Sequence, residues 1–229
     1  MKTAFRTILC LAGALALVCS CGNNSAKSGK AAGEAAQEPV DSAAIAEQAK
    51  AVEDKVAALP EEPVFDVVTS LGVIRIKLYS QTPKHRANFA KLALSGFYDG
   101  LLFHRVINGF MIQGGDPLTK NPANAAKFGT GGPGYTVPAE FVPEYTHKKG
   151  ALAAARRGDA ANPYKESSGS QFYIVQDAMG CASLNGDYTV FGETIEGLDV
   201  IDKIASVQTN ERDCPLQPVK IIKIKLAEE

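Results

Sequence analysis

A short run of the chain, residues 103–117, concentrates side chains that could act on a peptide. Arg105 supplies a permanent positive charge with several hydrogen-bond donors, and Gln113 supplies an amide. Phe110 and Met111, which lie between them, are large and apolar. Glycines in the same run let backbone segments approach closely. The run therefore predicts a pocket that grips a small apolar ring and hydrogen-bonds to the adjoining peptide.

This run, FHRVINGFMIQGGDP, closely resembles the signature of the cyclophilin family of peptidyl-prolyl cis-trans isomerases. Three later segments resemble the family in the same order, namely residues 150–156, 168–174 and 184–192. The resemblance covers residues 63–229 and implies a mainly β fold, a closed eight-stranded antiparallel barrel capped by two α-helices. It also implies isomerisation of X-Pro bonds in proline-containing polypeptides, with no metal and no organic cofactor.

Site roles follow from the resemblance residue by residue. Arg105 matches the catalytic arginine of the family, Phe110 and Met111 match the wall of the proline pocket, and Gln113 matches a glutamine that bonds the substrate backbone. Further substrate-binding matches are Ala155, Arg156, Gln171, Tyr173, Leu184 and Tyr188. The resemblance implies that Ala155 and Arg156 act through main-chain groups, and that Gln171 helps to orient the arginine and the substrate.

The chemistry of the reaction independently favours Arg105. Rotation about an X-Pro bond needs no nucleophile, because its barrier of about 18–20 kcal/mol comes from amide resonance. A catalyst must hold the ring still and favour the twisted amide over the planar one. The twisted imide nitrogen regains a lone pair, so a fixed guanidinium beside it can donate a hydrogen bond. Arg105 is therefore the predicted catalytic residue.

Three positions depart from the usual cyclophilin pattern. Tyr173 stands where the family usually has Phe, which adds a hydroxyl at the floor or rim of the pocket. Tyr188 replaces the pocket histidine of many members, but it can still cover the ring and donate a hydrogen bond. Ser183 stands where the members that bind cyclosporin tightly have tryptophan, so we expect weak cyclosporin binding. The departures leave isomerase activity as the expectation.

The N-terminal residues have the pattern of an export signal. Lys2 and Arg6 precede an apolar run, residues 8–18, that is too short to span a membrane comfortably. The segment that ends at Cys21 resembles a bacterial lipobox. The resemblance implies a lipoprotein signal peptide over residues 1–20 and a lipid on the Cys21 thiol; an ordinary secretory peptide is the alternative. We therefore expect an extracytoplasmic protein, periplasmic or on the cell surface, anchored by lipid to a bacterial membrane.

Export leaves two cysteines in the main domain, Cys181 and Cys214. The periplasm is oxidising, and the cyclophilin fold brings the two loops that carry them near each other. A disulfide between these residues is one expectation. Two unpaired thiols are the other.

Two segments precede the main domain. Residues 21–40 are rich in Gly, Ala, Ser and Asn, and this composition predicts a flexible tether. Residues 41–60 predict an amphipathic helix, because apolar residues recur in steps of four and three before Pro60. This helix could lie against the main domain or act as a stiff spacer. A dimerising coiled coil is the sharper alternative, although so short a seam is marginal alone.

Short strands dominate the remaining pattern. Alternating residues predict a hairpin over residues 65–78 and a closing strand over residues 219–226. In the closing strand the residues that alternate with lysines are Ile222, Ile224 and Leu226. One helix is predicted to start at Thr82, as its capping residue, with Pro83 in the first turn. A second helix is predicted over residues 198–205, and the whole pattern favours a closed antiparallel barrel.

Charge and histidine spacing exclude other classes of function. Lys and Arg number 24 against 25 Asp and Glu, so no basic surface for nucleic acid is indicated. The three histidines lack the spacing of metal ligands. We expect a monomer that isomerises X-Pro bonds of exported proteins and so assists their folding. The alternatives are a peptide-binding chaperone or assembly factor with incidental isomerase activity, and a structural lipoprotein whose helix at 41–59 docks a partner.

Overall fold

The computed structural model describes residues 42–228, which form ten strands, four α-helices and three short 3-10 helices. The predicted signal peptide, the tether and Cys21 lie outside these residues. The α-helices are α1 (Ser42–Ala57), α2 (Pro83–Leu94), α3 (Ala178–Cys181) and α4 (Leu198–Ala205). The strands are β1 (Val64–Thr69), β2 (Gly72–Leu78), β3 (Arg105–Ile107), β4 (Met111–Gly114), β5 (Thr136–Val137), β6 (Ala151–Ala154), β7 (Ser167–Ser168), β8 (Phe172–Val175), β9 (Val190–Glu196) and β10 (Ile221–Leu226).

Eight of these strands form one antiparallel sheet in the order β10-β1-β2-β9-β6-β8-β4-β3. Strands β5 and β7 form a separate two-stranded ribbon. The mainly β class, the eight strands and the helices predicted near residues 83 and 198 are confirmed. The sheet places β3, β4, β8 and β6 side by side, so residues from three separate stretches of sequence share one face.

The prediction of a closed barrel is wrong. The edge strands β3 and β10 do not pair along their length, and the sheet is a curled half-barrel. A short contact links the edges where residues 100–103 bond to residues 219–221. A loop takes the free edge of β3 instead, because the Val106 N–H donates to the Asp213 carbonyl oxygen at 2.8 Å.

The closing strand β10 also differs from its predicted pattern. Ile221 and Ile224 are buried, whereas Ile222 is exposed. The register between β1 and β10 shifts at this point, since Thr69 faces Ile221 and Val68 faces Lys223. Ile222 is thus the extra residue of a β-bulge, which breaks the strict alternation that the sequence indicated.

Helix α2 begins where the sequence predicted but is capped by another residue. The Thr82 side chain makes no capping hydrogen bond. The carboxylate of Glu140 accepts the N–H groups of Lys84 at 3.0 Å and of His85 at 2.9 Å. An acidic side chain at a helix N-terminus satisfies free backbone donors and complements the helix dipole. The His85 ring bonds the same carboxylate at 2.6 Å, which fixes the helix to the loop before β6.

The buried apolar residues form two clusters. The larger one lies between the sheet and the helices and includes Phe65, Phe89 and Phe172, whose rings meet edge to face. The smaller one lies on the other face of the sheet and includes Met111, Tyr173 and Cys181. Its outer surface is where the predicted site residues come together.

Helix α1 lies within residues 41–60, the segment for which the sequence predicts a helix. Val56 and the following Leu59 pack against the larger cluster, and Glu53 pairs with Lys91 of α2 at 2.9 Å. The rest of the helix is largely exposed, including Ile45. No helix within residues 42–228 is both long enough and apolar enough to cross a membrane.

Candidate active site

One small cavity of about 120 Å³ gathers the predicted site residues. Nine of the ten line it: Arg105, Phe110, Met111, Gln113, Ala155, Arg156, Tyr173, Leu184 and Tyr188. The tenth, Gln171, is buried behind Gln113. The volume suits a small ring rather than a large ligand, since drug-sized pockets measure about 300–1,000 Å³.

Strand register explains why these residues meet. Arg105 of β3 faces Gln113 of β4, and Gln113 faces Tyr173 of β8. Tyr173 in turn faces Ala153 of β6. Cross-strand neighbours stand about 4.5–5.5 Å apart and point to the same side of a sheet. The four residues thus form one row that runs from the edge of the sheet towards its centre.

The apolar floor of the cavity belongs to the smaller core cluster. Met111 and Tyr173 are 2 % and 4 % exposed, and Phe110 is half-buried. The Phe110 carbonyl oxygen accepts the N–H groups of Gln176 at 2.9 Å and of Asp177 at 3.1 Å. The Phe110 backbone is therefore fixed against the end of β8, and the floor is rigid.

The Arg105 side chain stands at the mouth of the cavity and is 42 % exposed. Its guanidinium carbon lies 5.9 Å from the centre of the Phe110 ring. Its Nε atom lies 3.5 Å from a carboxylate oxygen of Asp213. Sequence reasoning missed Asp213, which carries no local motif and lies 108 positions further along the chain.

Two glutamine amides connect in series beside Arg105. The Gln113 Nε2 group donates to the Gln171 Oε1 atom at 3.0 Å, and Gln171 Nε2 donates to the Gly131 carbonyl oxygen at 2.8 Å. The first bond fixes the rotamer of Gln113 and leaves its carbonyl oxygen as an acceptor. Gln171 acts on Gln113 directly; the predicted link from Gln171 to Arg105 has no counterpart among the hydrogen bonds of residues 42–228.

Arg156 and Tyr188 form the wall opposite Arg105. The Arg156 guanidinium carbon lies 4.3 Å from the centre of the Tyr188 ring, a cation–π contact. Arg156 Nε also donates to the Asp187 carbonyl oxygen at 2.8 Å. The Arg156 side chain therefore holds the loop that carries Tyr188, a role beyond the main-chain one that the sequence indicated.

The main-chain groups of Ala155 are already bonded within the protein. Its N–H donates to the Gln171 carbonyl oxygen at 3.0 Å, and its own carbonyl oxygen accepts the N–H of Ser168 at 2.7 Å. Because both main-chain groups are occupied, Ala155 contributes only its small side chain to the cavity, and this side chain leaves room for a ligand.

The extra hydroxyl of Tyr173 bonds the His147 Nε2 atom at 2.8 Å. The His147 Nδ1 group bonds the Asn185 side-chain oxygen at 2.8 Å, and Asn185 follows the cavity residue Leu184. Burial lowers the pKa of His147, so the ring is neutral and can donate at one nitrogen while it accepts at the other. This chain of hydrogen bonds ties the cavity floor to the loop above it, and no sequence pattern predicts it.

The two cysteines of the main domain are free, so the predicted disulfide is absent. Cys181 is fully buried, and its thiol donates to the Phe110 carbonyl oxygen at 3.3 Å. Cys214 lies beyond Arg105, in a cavity that it shares with His104 and Arg212. The two thiols therefore have different surroundings: Cys181 lies in the core beside Phe110, and Cys214 lines a cavity next to Arg105. Burial raises the pKa of Cys181 to about 11, which disfavours the reactive thiolate.

A larger cavity of about 880 Å³ adjoins the small one and shares Gln113, Ala155 and Arg156 with it. Its walls are loops at residues 129–136 and 157–168. Within residues 42–228, no group of three or more His, Cys, Asp or Glu side chains is placed to hold a metal ion. The site is therefore a small apolar cavity with an arginine and an amide at its rim, beside a wider groove.

Comparison with known proteins identifies this arrangement. The model of the family described as cyclophilin type peptidyl-prolyl cis-trans isomerase/CLD matches residues 64–226, well over half of the 229 residues. The chain belongs to the cyclophilin family. Its activity is accordingly the cis-trans isomerisation of peptidyl-prolyl bonds.

Curated relatives support the same assignment. This cyclophilin is 35% identical over 172 residues to the human peptidyl-prolyl cis-trans isomerase-like 1, across 73% of this chain and 96% of that protein. It is 33% identical over 173 residues to the Arabidopsis thaliana peptidyl-prolyl cis-trans isomerase CYP18-2, across 74% of this chain and 98% of that protein. Both alignments span nearly the whole length of the relative.

Solved structures show the same fold. A Cryptosporidium parvum cyclophilin type peptidyl-prolyl cis-trans isomerase is similar with a TM-score of 0.64 and 29% identity, over 73% of this chain and 99% of that one. The same protein solved in the presence of the dipeptide Ala-Pro is similar with a TM-score of 0.63. A cyclophilin from Hirschia baltica gives a TM-score of 0.57 at 24% identity, over 73% and 75% of the two chains.

Proposed function

We propose that the 120 Å³ cavity receives the proline ring of a client and that Arg105 is the catalytic residue. Phe110, Met111 and Tyr188 would hold the ring by apolar contact, so that rotation moves the residue before proline instead. The observation that carries this proposal is that the Arg105 guanidinium stands at the mouth of a cavity with an apolar floor, whereas the other lining arginine, Arg156, lies against the Tyr188 ring.

Arg105 would act on the twisted amide. As the X-Pro bond rotates, the imide nitrogen loses its conjugation and becomes a hydrogen-bond acceptor. A guanidinium remains charged at all relevant pH values, so it stabilises this state more than the planar one. The Gln113 amide, fixed by Gln171, would hold the client backbone beside the ring. No metal or organic cofactor takes part in this scheme.

We further propose that the enzyme works outside the cytoplasm on exported proteins. The support is the N-terminal sequence, in which Lys2 and Arg6 precede an apolar run, residues 8–18, and Cys21 follows shortly after it. A lipid on Cys21 would anchor a monomer to the membrane, and residues 21–40 would let the isomerase domain reach emerging clients.

Fatty-acid labelling of the full chain in a bacterial host tests the anchor. We expect label on the wild-type chain and on Cys19→Ala, and none on Cys21→Ala. Protease added to the cells should degrade the isomerase domain once the outer membrane is permeabilised, while the cytoplasmic membrane stays intact. Equal labelling of Cys21→Ala, or a protected domain, would contradict the proposal.

The larger cavity favours a second candidate, a peptide-binding chaperone with incidental isomerase activity. Its volume of about 880 Å³ could hold client residues that flank the proline. The two functions separate in the Arg105→Ala variant. A chaperone would still suppress aggregation of an unfolded exported protein, whereas an isomerase would lose its effect on a proline-limited refolding phase.

A further inference from the structure

The loop at residues 208–216 has a rigid tip that points at the active site. The Asn210 side-chain oxygen accepts the N–H groups of Arg212 at 2.9 Å and of Cys214 at 3.1 Å. The Asn210 N–H donates to the Cys214 carbonyl oxygen at 2.9 Å, which closes the turn. These three bonds fix the backbone on both sides of Asp213.

Asp213 itself adopts a left-handed backbone conformation, with φ of +59°. Within residues 42–228, Lys165 is the only other non-glycine residue with a positive φ. Glycine, asparagine and aspartate adopt this conformation more readily than other residues, so the turn accepts an aspartate here. The fixed backbone at this position determines where the Asp213 carboxylate lies.

The tip is attached to the strand that carries Arg105. The Val106 N–H donates to the Asp213 carbonyl oxygen at 2.8 Å, so the loop extends the free edge of β3. This bond places the Asp213 carboxylate 3.5 Å from the Arg105 Nε atom. No other carboxylate within residues 42–228 forms an ion pair with Arg105.

We propose that Asp213 is a positioning residue for the isomerase reaction. Its carboxylate approaches the Arg105 guanidinium at Nε and restricts the rotamers of this side chain at the mouth of the cavity. An unrestrained arginine on a three-residue edge strand would sample several rotamers and would lose entropy when it meets the twisted amide. The proposal rests on the catalytic role of Arg105 proposed above.

The size of the effect follows from exposure. The two side chains are 42 % and 43 % exposed, so water and salt weaken the pair. Exposed ion pairs contribute modestly, and loss of this one should reduce the rate about two- to five-fold. Because the contacts to the proline ring are unchanged, kcat should fall while KM stays constant.

Asp213→Asn and Asp213→Gly test the proposal in the full chain with a neutral X-Pro peptide. Both residues tolerate a positive φ, so the turn and the Val106 hydrogen bond remain available. We expect kcat to fall about two- to five-fold in both variants, with KM and the melting temperature of Asp213→Asn unchanged. The control Asp199→Asn removes the same charge from an exposed pair with Lys203 on α4 and should match the wild type.

Salt dependence separates electrostatic positioning from a merely structural role. Between about 0.01 M and about 1 M NaCl the Debye length falls from about 30 Å to about 3 Å. The wild-type kcat should decline towards that of Asp213→Asn, and the variant should stay flat. A wild-type kcat in Asp213→Asn, or equal salt dependence of the two proteins, would overturn the proposal. If Arg105→Ala retained full activity, the proposed role of Arg105 itself would fail instead.

Discussion

The two sides of the 120 Å³ cavity are built in different ways. The floor comes from the central strands β4 and β8, where Met111 and Tyr173 are almost completely buried. The opposite side comes from the edge strand β3, which has three residues and carries Arg105, whose side chain is nearly half exposed. The floor is part of the core, whereas the arginine depends on a neighbouring loop for its position.

Under the proposed mechanism, this difference separates ring binding from rate enhancement. Changes to the floor must affect folding, because those side chains also fill the smaller core cluster. Changes at the arginine can affect turnover without affecting folding, because solvent already surrounds much of the side chain. The comparison therefore predicts that stability, KM and kcat respond separately to substitutions on the two sides.

Arg105→Ala should give the largest effect on activity. Removal of a fixed donor to a developing charge or lone pair typically lowers kcat about 100- to 1,000-fold. The melting temperature should stay close to that of the wild type, since the side chain is exposed. The rate of cis-to-trans conversion of a short X-Pro peptide measures the loss.

Arg75→Ala is the matched control for this variant. Arg75 pairs with Asp66 at 2.8 Å on strands β1 and β2, away from the cavity. It should retain full activity. If kcat fell by a similar factor in both variants, or did not fall in Arg105→Ala, the proposed catalytic role of Arg105 would be wrong.

Met111→Ala should produce the largest loss of stability. Truncation of a buried methionine typically costs about 2–5 kcal/mol, because it removes contacts and leaves a cavity. Urea unfolding should show this loss, and KM should rise because the ring loses part of its floor. Met111→Leu, which conserves volume, should cost less than about 1.5 kcal/mol. Unchanged stability in Met111→Ala would contradict the view that the floor belongs to the core.

The burial of His104, which precedes Arg105 in the chain, predicts that the protein becomes less stable in acid. Burial lowers the pKa of His104 to about 4, from about 6.5 in an unfolded chain. Between these values the unfolded chain binds a proton that the folded protein excludes, so stability falls as the pH falls from about 6.5 to about 4. The shift corresponds to a loss of about 3 kcal/mol. Urea unfolding at several pH values measures it.

His104→Gln isolates this contribution, because glutamine does not titrate. Its stability should decline less steeply over the same pH range. The remaining slope would reflect other groups, among them His147, whose pKa is also lowered by burial. Parallel pH profiles for the variant and the wild type would disprove the assignment to His104.

Much of the site could be predicted because its chemistry is concentrated in short runs. Arg105, Phe110, Met111 and Gln113 occur within nine positions, and the alternation of a strand sends Met111 and Gln113 to one face. The glycines in that run were informative as well. Gly115 has φ of +88°, and a Cβ there would lie 2.2 Å from the Ser170 carbonyl oxygen.

The features that the sequence could not predict arise between distant loops. Glu140 caps a helix that begins 57 positions earlier, and Asp213 meets Arg105 from a loop near the end of the chain. Neither contact leaves a local pattern, because each depends on how the whole sheet curls. The open edge of β3 has the same origin, since the loop that carries Asp213 occupies the position of a closing strand.

Loss of the contact between Arg156 and Tyr188 should have the smallest effect on stability and activity among these substitutions. It tests the cavity wall opposite Arg105. Tyr188→Leu removes the ring face over which the Arg156 guanidinium lies at 4.3 Å, and such contacts contribute about 0.5–2 kcal/mol. We expect a loss of about 1 kcal/mol in urea unfolding and a KM that rises about five-fold, with kcat nearly constant. Tyr188→Phe keeps the ring and should behave as the wild type in both measurements. If Tyr188→Phe lost as much as Tyr188→Leu, the hydroxyl rather than the ring face would hold this wall, and the two sides of the cavity would both depend on polar contacts.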